Sequence, residues 1–216
     1  MNTTFIDPDE YVPSLNTVST QKRRYELKAR AEGQQATREK IAAAAASLHE
    51  EVGVARTTVA DIARRAGVQR LTVYNHFPDL AALLPACSAH WMAAHPLPDL
   101  GPAFALPDPV ERLRSVLAGL YGWYRENATM QRHTLGDRAT VPELDAYLTG
   151  FADPAMAGLA DALATGFSGA RARALVALAL DFWTWDRLAR EGLDDASAAE
   201  LMAGVVSRSA NVSGAA

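Results

Sequence analysis

The chain has 216 residues, 49% of them hydrophobic, and a formal net charge of −4 at pH 7. A chain of this length and composition can bury a substantial core in one or two domains, which excludes a wholly disordered protein. Its single cysteine, Cys87, excludes an internal disulfide and a zinc site built from several cysteines. We expect Cys87 to be a small core residue of a cytoplasmic protein.

The sequence shows no pattern typical of membrane insertion or of catalysis. It lacks a signal peptide and any apolar stretch of about 18 residues, so we expect no contact with a membrane. It also lacks a glycine-rich phosphate loop, a Gly-x-Ser-x-Gly turn and paired carboxylates on a helix. The spacing of His90 and His95 does not place both imidazoles on one helical face. We therefore expect no catalytic residue, no metal and no cofactor.

The N-terminal segment divides into two parts of different composition. Residues 1–20 show no periodicity and are predicted to be a flexible tail. Residues 21–35 are rich in lysine and arginine, and could form a helical arm in which Arg23 and Arg24 contact the DNA backbone or a minor groove. Alternatively, the arm is a solvated run of charges held by ion pairs four residues apart. The sequence leaves both interpretations open.

A first helix of the next domain is predicted from Thr37, as its cap, to Glu51, and Gly53 ends it. Residues 20–80 contain 11 Lys/Arg and 7 Asp/Glu, so this part of the chain is basic although the whole chain is acidic. The inner face of the helix is expected to pack on Ile62 and Val73 of the following segment. The residues on that face are Ile41, Ala45 and Leu48.

The following segment has the pattern of a helix-turn-helix. Thr58 and Asp61 have capping-box spacing, in which the threonine side chain satisfies an N–H at the start of a helix. Gly67 follows the last apolar residue of that helix and can adopt the left-handed conformation that ends it. Val68 then fills the corner between the two helices.

The second helix of the motif presents polar side chains opposite its inner residues Val73 and Phe77. Arg70 can donate paired hydrogen bonds to guanine, and Asn75 to adenine, each discriminating by about 1–3 kcal/mol. Leu71 can contact a thymine methyl group. The donors expected to reach phosphates are Thr72, Tyr74 and His76. Alternatively, the motif is a structural corner with a solvated polar face.

This helix-turn-helix resembles that of the TetR/AcrR family of bacterial transcriptional regulators. The resemblance rests on Gly67-Val68, Thr72-Val73-Tyr74-Asn75-His76-Phe77, Asp79 and Leu83-Leu84. It implies a homodimer that binds a palindromic double-stranded DNA operator and responds to a small-molecule effector in its C-terminal domain. By position, it implies a DNA-facing set of Thr58, Arg70, Leu71, Thr72, Tyr74, Asn75 and His76.

Two residues depart from the pattern of that family. Leu80 stands where the family usually has a lysine that binds a phosphate, so one phosphate contact is expected to be missing. Pro85 lies inside a predicted helix over residues 80–94, where it cannot donate to the carbonyl of Ala81. We expect a kink at Pro85 that acts as a hinge between the domains.

The rest of the chain predicts a helical bundle. A proline-rich loop over residues 96–107 precedes a helix that begins at Asp108-Pro109, and another helix is predicted from Pro142. Bundles of this kind hold ligands in apolar cavities between helices. The candidate pocket residues are Trp123, Tyr124, Met130, His133, Tyr147, Asp181 and Trp183. Aromatic residues at helical spacing are also typical of a core, and this alternative stays open.

The last two predicted helices are the candidate dimer interface. One helix, with Leu175, Leu178, Phe182 and Trp185 on one side, is apolar nearly all round and must be covered on both sides. Two helices from each subunit can form a four-helix bundle on a two-fold axis, an assignment that the resemblance supports. Asp181 lies in the apolar run, where a buried carboxylate needs an arginine, hydrogen-bond donors or a cationic ligand. The final helix has a stripe of Ala198, Leu201, Met202, Val205 and Val206.

These patterns together predict an all-α protein with a tail and arm (1–35), a helix-turn-helix DNA-binding domain (36–80) and a ligand-binding and dimerisation domain (81–216). The predicted function is a ligand-responsive, dimeric transcriptional regulator, most simply a repressor. An all-α enzyme or small-molecule carrier with a purely structural helix-turn-helix is the alternative from another class. A third is an adaptor that binds protein through its last helices.

Overall fold

The computed structural model describes the backbone of residues 15–169, 171–209 and 211–212, and the side chains of residues 24–169 and 171–209. These residues form an all-α fold, as predicted, with one antiparallel pair of two-residue strands. The helices are α1 (Leu15–Val52), α2 (Val59–Ala66), α3 (Arg70–His76), α4 (Leu80–Ala94), α5 (Gly101–Phe104), α6 (Pro109–Glu126), α7 (Ala128–Asp137), α8 (Pro142–Ala164), α9 (Ala172–Leu180), α10 (Phe182–Arg190) and α11 (Asp195–Ser209). The strands are β1 (Phe167–Ser168) and β2 (Asn211–Val212).

The contacts divide the chain into two units, residues 1–40 and residues 41–216. In the first unit, α1 begins at Leu15, which is earlier than the predicted helical arm. The last six residues of the predicted tail, residues 15–20, are therefore part of α1. Residues 1–14 of that tail lie outside the described residues.

The basic arm is helical, and the side chain of Arg24 is exposed. Lys28 forms an ion pair with Glu32 at 3.8 Å, one helical turn away. This pair agrees with the solvated-helix interpretation of the arm. The side chain of Arg23 lies outside the described residues, and a DNA contact from the arm stays a prediction.

Thr37 is not the helix cap that the sequence predicts. It lies inside α1, where its hydroxyl donates to the carbonyl oxygen of Gly33 at 2.9 Å. Because this bond satisfies the hydroxyl within the helix, a threonine at this position does not start a new helix.

α2 and α3 form the predicted helix-turn-helix. Thr58 caps α2, since its Oγ1 accepts from the N–H of Asp61 at 3.2 Å and donates to the Asp61 carboxylate at 2.5 Å. Gly67 ends α2 in the left-handed conformation, with φ of 68°. The inner side chains belong to one buried cluster, so α3 is held firmly against the rest of its domain. They are Ile41, Ala45, Leu48, Ile62, Val73 and Phe77.

α4 has the predicted bounds and continues through Pro85 without a break. The side chain of Asp79 caps it by accepting from the N–H of Ala82 at 2.8 Å. Cys87 is buried, as predicted, and its Sγ donates to the carbonyl oxygen of Leu84 at 3.3 Å. Burial raises the pKa of the Cys87 thiol to about 12.

α6 forms the centre of the core of residues 41–216 and packs chiefly against α11. Asp108 caps α6, as predicted, by accepting from the N–H of Val110 at 2.7 Å. Each aliphatic side chain buried between these helices contributes about 1.5–3 kcal/mol to the stability of the fold, because it is removed from water. The most enclosed residues of α6 are Leu113, Val116, Leu117 and Tyr121. The short α5 lies in the proline-rich segment that was predicted to be a loop.

The apolar helix predicted around Asp181 is two helices, α9 and α10. Asp181 is exposed and caps α10, because its carboxylate accepts from the N–H groups of Trp183 and Thr184 at 2.9 and 3.2 Å. The prediction that Asp181 is buried is therefore wrong. The reason is that a cap lies at a helix end, where the chain turns toward solvent.

Two buried tyrosines stabilise the break between α9 and α10. The hydroxyl of Tyr121 donates to the carbonyl oxygen of Ala179 at 2.7 Å, and that of Tyr124 donates to the carbonyl oxygen of Leu180 at 2.8 Å. Burial raises the pKa of both phenols, so they stay protonated and remain donors. They satisfy two of the carbonyls that a helix end leaves without a partner.

Candidate nucleic-acid interface

α3 has one buried face and one exposed polar face. Val73 and Phe77 are each 2% exposed and fix the inner side of the helix. Leu71 is 66% exposed and Tyr74 is 50% exposed on the outer side. Arg70 and Asn75 are also exposed, and Thr72 and His76 are half-buried at the edges of this face. The structure thus presents the predicted base-reading side chains together.

The side chains at the start of α2 are hydrogen-bonded to one another. The hydroxyl of Thr58 donates to the carboxylate of Asp61, which lowers the pKa of that carboxyl, and Arg64 also donates to it at 2.6 Å. Thr58 is exposed, as its predicted role requires. Because its hydroxyl proton is already used, a phosphate contact by Thr58 would have to replace the bond to Asp61.

Arg65 joins α2 to α1. Its guanidinium donates to both carboxylate oxygens of Glu51, at 2.7 and 2.8 Å, and to the hydroxyl of Ser47 at 2.6 Å. The bonds from Arg65 and Ser47 lower the pKa of Glu51 to about 2. This bidentate pair fixes the angle between the two helices.

One cation beside the motif was missing from the sequence-based set. Arg56 is exposed two residues before Thr58, and its Nε donates to the carbonyl oxygen of Val52 at 2.6 Å. A basic residue next to a helix cap was the signal that could have identified it. Leu80, where the resemblance leads one to expect lysine, is half-buried and packs against the core instead. Arg56 is placed to supply positive charge near the motif.

Residues 41–87 match the family described as bacterial regulatory proteins, tetR family. The helix-turn-helix matches the tetR family. A curated relative, the HTH-type transcriptional regulator Mb2274c of Mycobacterium bovis, is 46% identical over 55 residues. That alignment covers 26% of this chain and 29% of the relative, so the chain matches less than a third of that protein's length.

Two solved structures share the fold of most of the chain. A transcriptional regulator from Rhodococcus sp. Rha1 covers 82% of this chain and 99% of its own, with a TM-score of 0.60 and 23% identity. A putative TetR-family regulator from Rhodococcus sp. covers 79% of this chain and 96% of its own, with a TM-score of 0.55 and 20% identity. At these identities the similarity establishes the fold.

Four of the predicted pocket residues lie on α6 and α7 and are buried or half-buried. Trp123 and Met130 are buried, and Trp123 Nε1 donates to the carbonyl oxygen of His95 at 3.2 Å. Tyr124 is fixed by its bond to the α9–α10 break. His133 Nδ1 donates to the carbonyl oxygen of Glu50 in α1 at 2.8 Å. Each of these polar groups therefore already has a protein partner.

The other three pocket candidates lie at the surface. Tyr147 is half-buried and stacks on Phe151 with their ring centroids 5.7 Å apart. Tyr147 lines an open groove of about 410 Å³ together with Ala81 and Pro142. Asp181 and Trp183 are exposed near the α9–α10 break. Trp183 also packs edge-on against the buried Phe182, with ring centroids 5.1 Å apart, so it lies at the edge of the buried aromatic cluster.

Three buried polar atoms among the described side chains lack a hydrogen-bond partner. They are His49 Nε2, Trp91 Nε1 and Asn127 Oδ1. The Trp91 ring packs edge-on against Trp123 at 6.0 Å, and Asn127 Nδ2 donates to the carbonyl oxygen of Trp123 at 2.8 Å. Trp91 and Asn127 therefore both contact Trp123 and leave one donor and one acceptor without a hydrogen-bond partner.

The described part of the chain contains no group of three or more histidine, cysteine, aspartate or glutamate side chains arranged to hold a metal ion. None of its helices combines the length and the apolar character needed to cross a membrane.

Proposed function

We propose that the chain is a sequence-specific transcriptional regulator that acts as a homodimer on a palindromic operator and changes its DNA affinity when a small molecule binds. The observation that carries this proposal is the exposed face of α3, held by buried Val73 and Phe77 in a tetR-type domain. In this proposal Arg70 and Asn75 read bases, and Leu71 contacts a thymine methyl group. The side chains of Thr58, Thr72, Tyr74 and His76 hold phosphates.

In this proposal, DNA binding and effector binding belong to different parts of the chain. Residues 36–80 bind DNA, and residues 81–216 bind the effector and form the dimer. We propose repression as the mode of action. A regulator of this kind carries out no reaction, so its activity is entirely a difference in binding free energy between two states.

The experiment that tests this function is DNA binding at several salt concentrations. The purified chain is titrated with the intergenic DNA that flanks its own coding region and with scrambled DNA of equal length. We expect binding at least about 10³-fold tighter to the specific DNA, with both affinities falling as salt rises. Equal binding to both DNAs, together with turnover of a compound from a metabolite extract, would favour the enzyme or carrier alternative.

We propose that the dimer forms through α9, α10 and α11, which expose Leu178, Trp183 and Leu201. Replacing Leu201 with arginine is expected to convert the dimer to a monomer, because the two symmetry-related charges would be brought together in an apolar contact. Loss of the second half-site contact should then lower operator affinity by about 10²-fold or more. Sedimentation velocity measures the mass, and the same operator titration measures the affinity.

The matched control is Phe151→Arg, which charges an equally apolar side chain on α8 that is 66% exposed. This variant should keep the wild-type mass and affinity. A wild-type chain that sediments as a monomer would contradict the proposed dimer, and an adaptor that binds through exposed last helices would then be the better interpretation.

We further propose that the effector binds beside Trp123, where Trp91 Nε1 can donate to it and Asn127 Oδ1 can accept from it. Met130, which is buried three residues after Asn127, supplies apolar contact in this proposal. Trp91→Phe removes the N–H donor but keeps an aromatic side chain. The variant should therefore show a weaker effect of a metabolite extract on operator binding, and its operator binding without extract should be unchanged. A response equal to that of the wild type would place the effector elsewhere.

A further inference from the structure

α7 contacts the turn that connects α1 to the helix-turn-helix. The carboxylate Oδ2 of Asp137, the last residue of α7, accepts from the N–H of Ala55 at 3.0 Å. Ala55 lies in the short turn between Val52 and Thr58, the cap of α2. A carboxylate that accepts a backbone N–H makes one of the stronger hydrogen bonds in proteins. Asp137 therefore fixes the backbone immediately before the reading helices.

The turn is shaped to receive this carboxylate. Gly53 ends α1 with φ of 90°, a left-handed conformation that glycine adopts without strain. A β-carbon at this position would lie only 2.5 Å from Asp137 Oδ2. Gly53 is thus required both by its backbone conformation and by the approach of Asp137. Two residues that are 84 positions apart in the sequence form one close contact.

A second bond from α7 supports the first. One helical turn before Asp137, His133 Nδ1 donates to the carbonyl oxygen of Glu50 at 2.8 Å. This carbonyl is near the C-terminal end of α1, where helical carbonyls lack partners within the helix. α7 therefore donates to the end of α1 and accepts from the turn that follows it.

α7 is itself anchored in the body of the protein. Arg132 pairs with Asp186 of α10, a carboxylate that is only 3% exposed, with the closest oxygen at 2.7 Å. Just after α7, Arg138 pairs with Asp145 and Asp153 of α8, each at 2.6 Å. Because α7 is held at its middle and just beyond its C-terminal end, its contacts with the turn connect that turn to α8 and α10.

We propose that Asp137 is a positioning residue for DNA recognition, which sets the angle of the helix-turn-helix relative to the body through Ala55 and Gly53. This inference rests on the proposed function. In a dimer on a palindrome, both recognition helices must enter the major groove about 34–36 Å apart. An error in the angle of each reading unit therefore penalises binding to two half-sites much more than binding to a single half-site.

The test compares Asp137→Ala with Asp137→Asn in the full-length protein. Asparagine keeps a side-chain oxygen that can accept from Ala55, whereas alanine removes it. The probes are duplexes that carry the complete palindrome found for the wild-type chain or one half of it. We expect Asp137→Ala to bind the complete palindrome about tenfold more weakly and the half-site within about twofold of wild type. Asp137→Asn should restore most of the affinity for the palindrome.

The control Glu126→Ala removes an exposed carboxylate at the end of α6 and should leave both affinities unchanged. Thermal unfolding of each variant shows that it is folded at the assay temperature. If Asp137→Ala weakens binding to the palindrome and to the half-site equally, the role of Asp137 is merely structural and the proposal is overturned. The proposal is also overturned if Asp137→Ala binds the palindrome with wild-type affinity. A wild-type chain with no preference for any DNA would instead refute the proposed function.

Discussion

Replacing Arg70 with alanine is expected to weaken binding to the cognate operator by about 1–3 kcal/mol per half-site, which is a factor of roughly 5 to 150 in affinity for each of the two half-sites. Arg70 is the first residue of α3 and is exposed. None of the ion pairs among the described residues engages it, so its guanidinium is available to a guanine edge. Its loss should also reduce discrimination at the base pair that it contacts, because alanine cannot distinguish the bases there.

The measurement is a set of operator titrations in which each base pair of the half-site is changed in turn. Tyr74→Phe is the comparison, since it removes a hydroxyl expected on a phosphate and should weaken all operator variants alike. For Arg70→Ala, the affinity should no longer depend on the identity of one base pair of the half-site, and it should still depend on the others. Uniform losses across the operator variants from both changes would contradict the assignment of Arg70 to base reading.

His49 is expected to make the folded chain less stable as the pH falls below 6.5. It is 4% exposed, and burial lowers its pKa from 6.5 to about 4, against a smaller opposite effect of Asp137. The unfolded chain therefore binds a proton in a pH range in which the folded chain does not. By linkage, the free energy of unfolding should decrease by about 2 kcal/mol between pH 7.5 and pH 5 through this residue.

Urea unfolding of the wild type and of His49→Gln at the two pH values measures this contribution. Between pH 7.5 and pH 5, the free energy of unfolding of the variant should decrease by about 2 kcal/mol less than that of the wild type. This difference does not depend on the stability of the variant at pH 7.5. At pH 5 the paired Glu51, with its pKa of about 2, remains ionised and adds little to the difference. His90→Gln changes an exposed histidine on α4 and should behave as the wild type. An unchanged pH dependence in His49→Gln would show that His49 is not responsible.

The helix-turn-helix could be predicted from the sequence because its signals are local. The bond between Thr58 and Asp61 spans three residues, and the left-handed Gly67 acts on its own helix. The alternation of buried Val73 with exposed Tyr74 follows directly from helical periodicity. Each of these signals needs no knowledge of the rest of the fold.

The features that the sequence did not predict depend on distant partners. The break at Asp181 is stabilised by tyrosines that are more than 50 positions away, at Tyr121 and Tyr124. The contacts of His133 and Asp137 with the end of α1 join elements that are 83 and 82 positions apart. An apolar run with one aspartate is equally compatible with a continuous buried helix, so only the packing of other elements decides between the two.

The buried state of Cys87 makes the native protein suitable for site-directed labelling. It is the only cysteine in the chain, and its high pKa leaves almost no thiolate to react with a maleimide at neutral pH. An introduced cysteine at an exposed position such as Leu71→Cys should therefore carry the label alone. Because Leu71 belongs to the proposed reading face, spin labels on it in two associated copies would report the separation of the recognition helices in the absence of DNA.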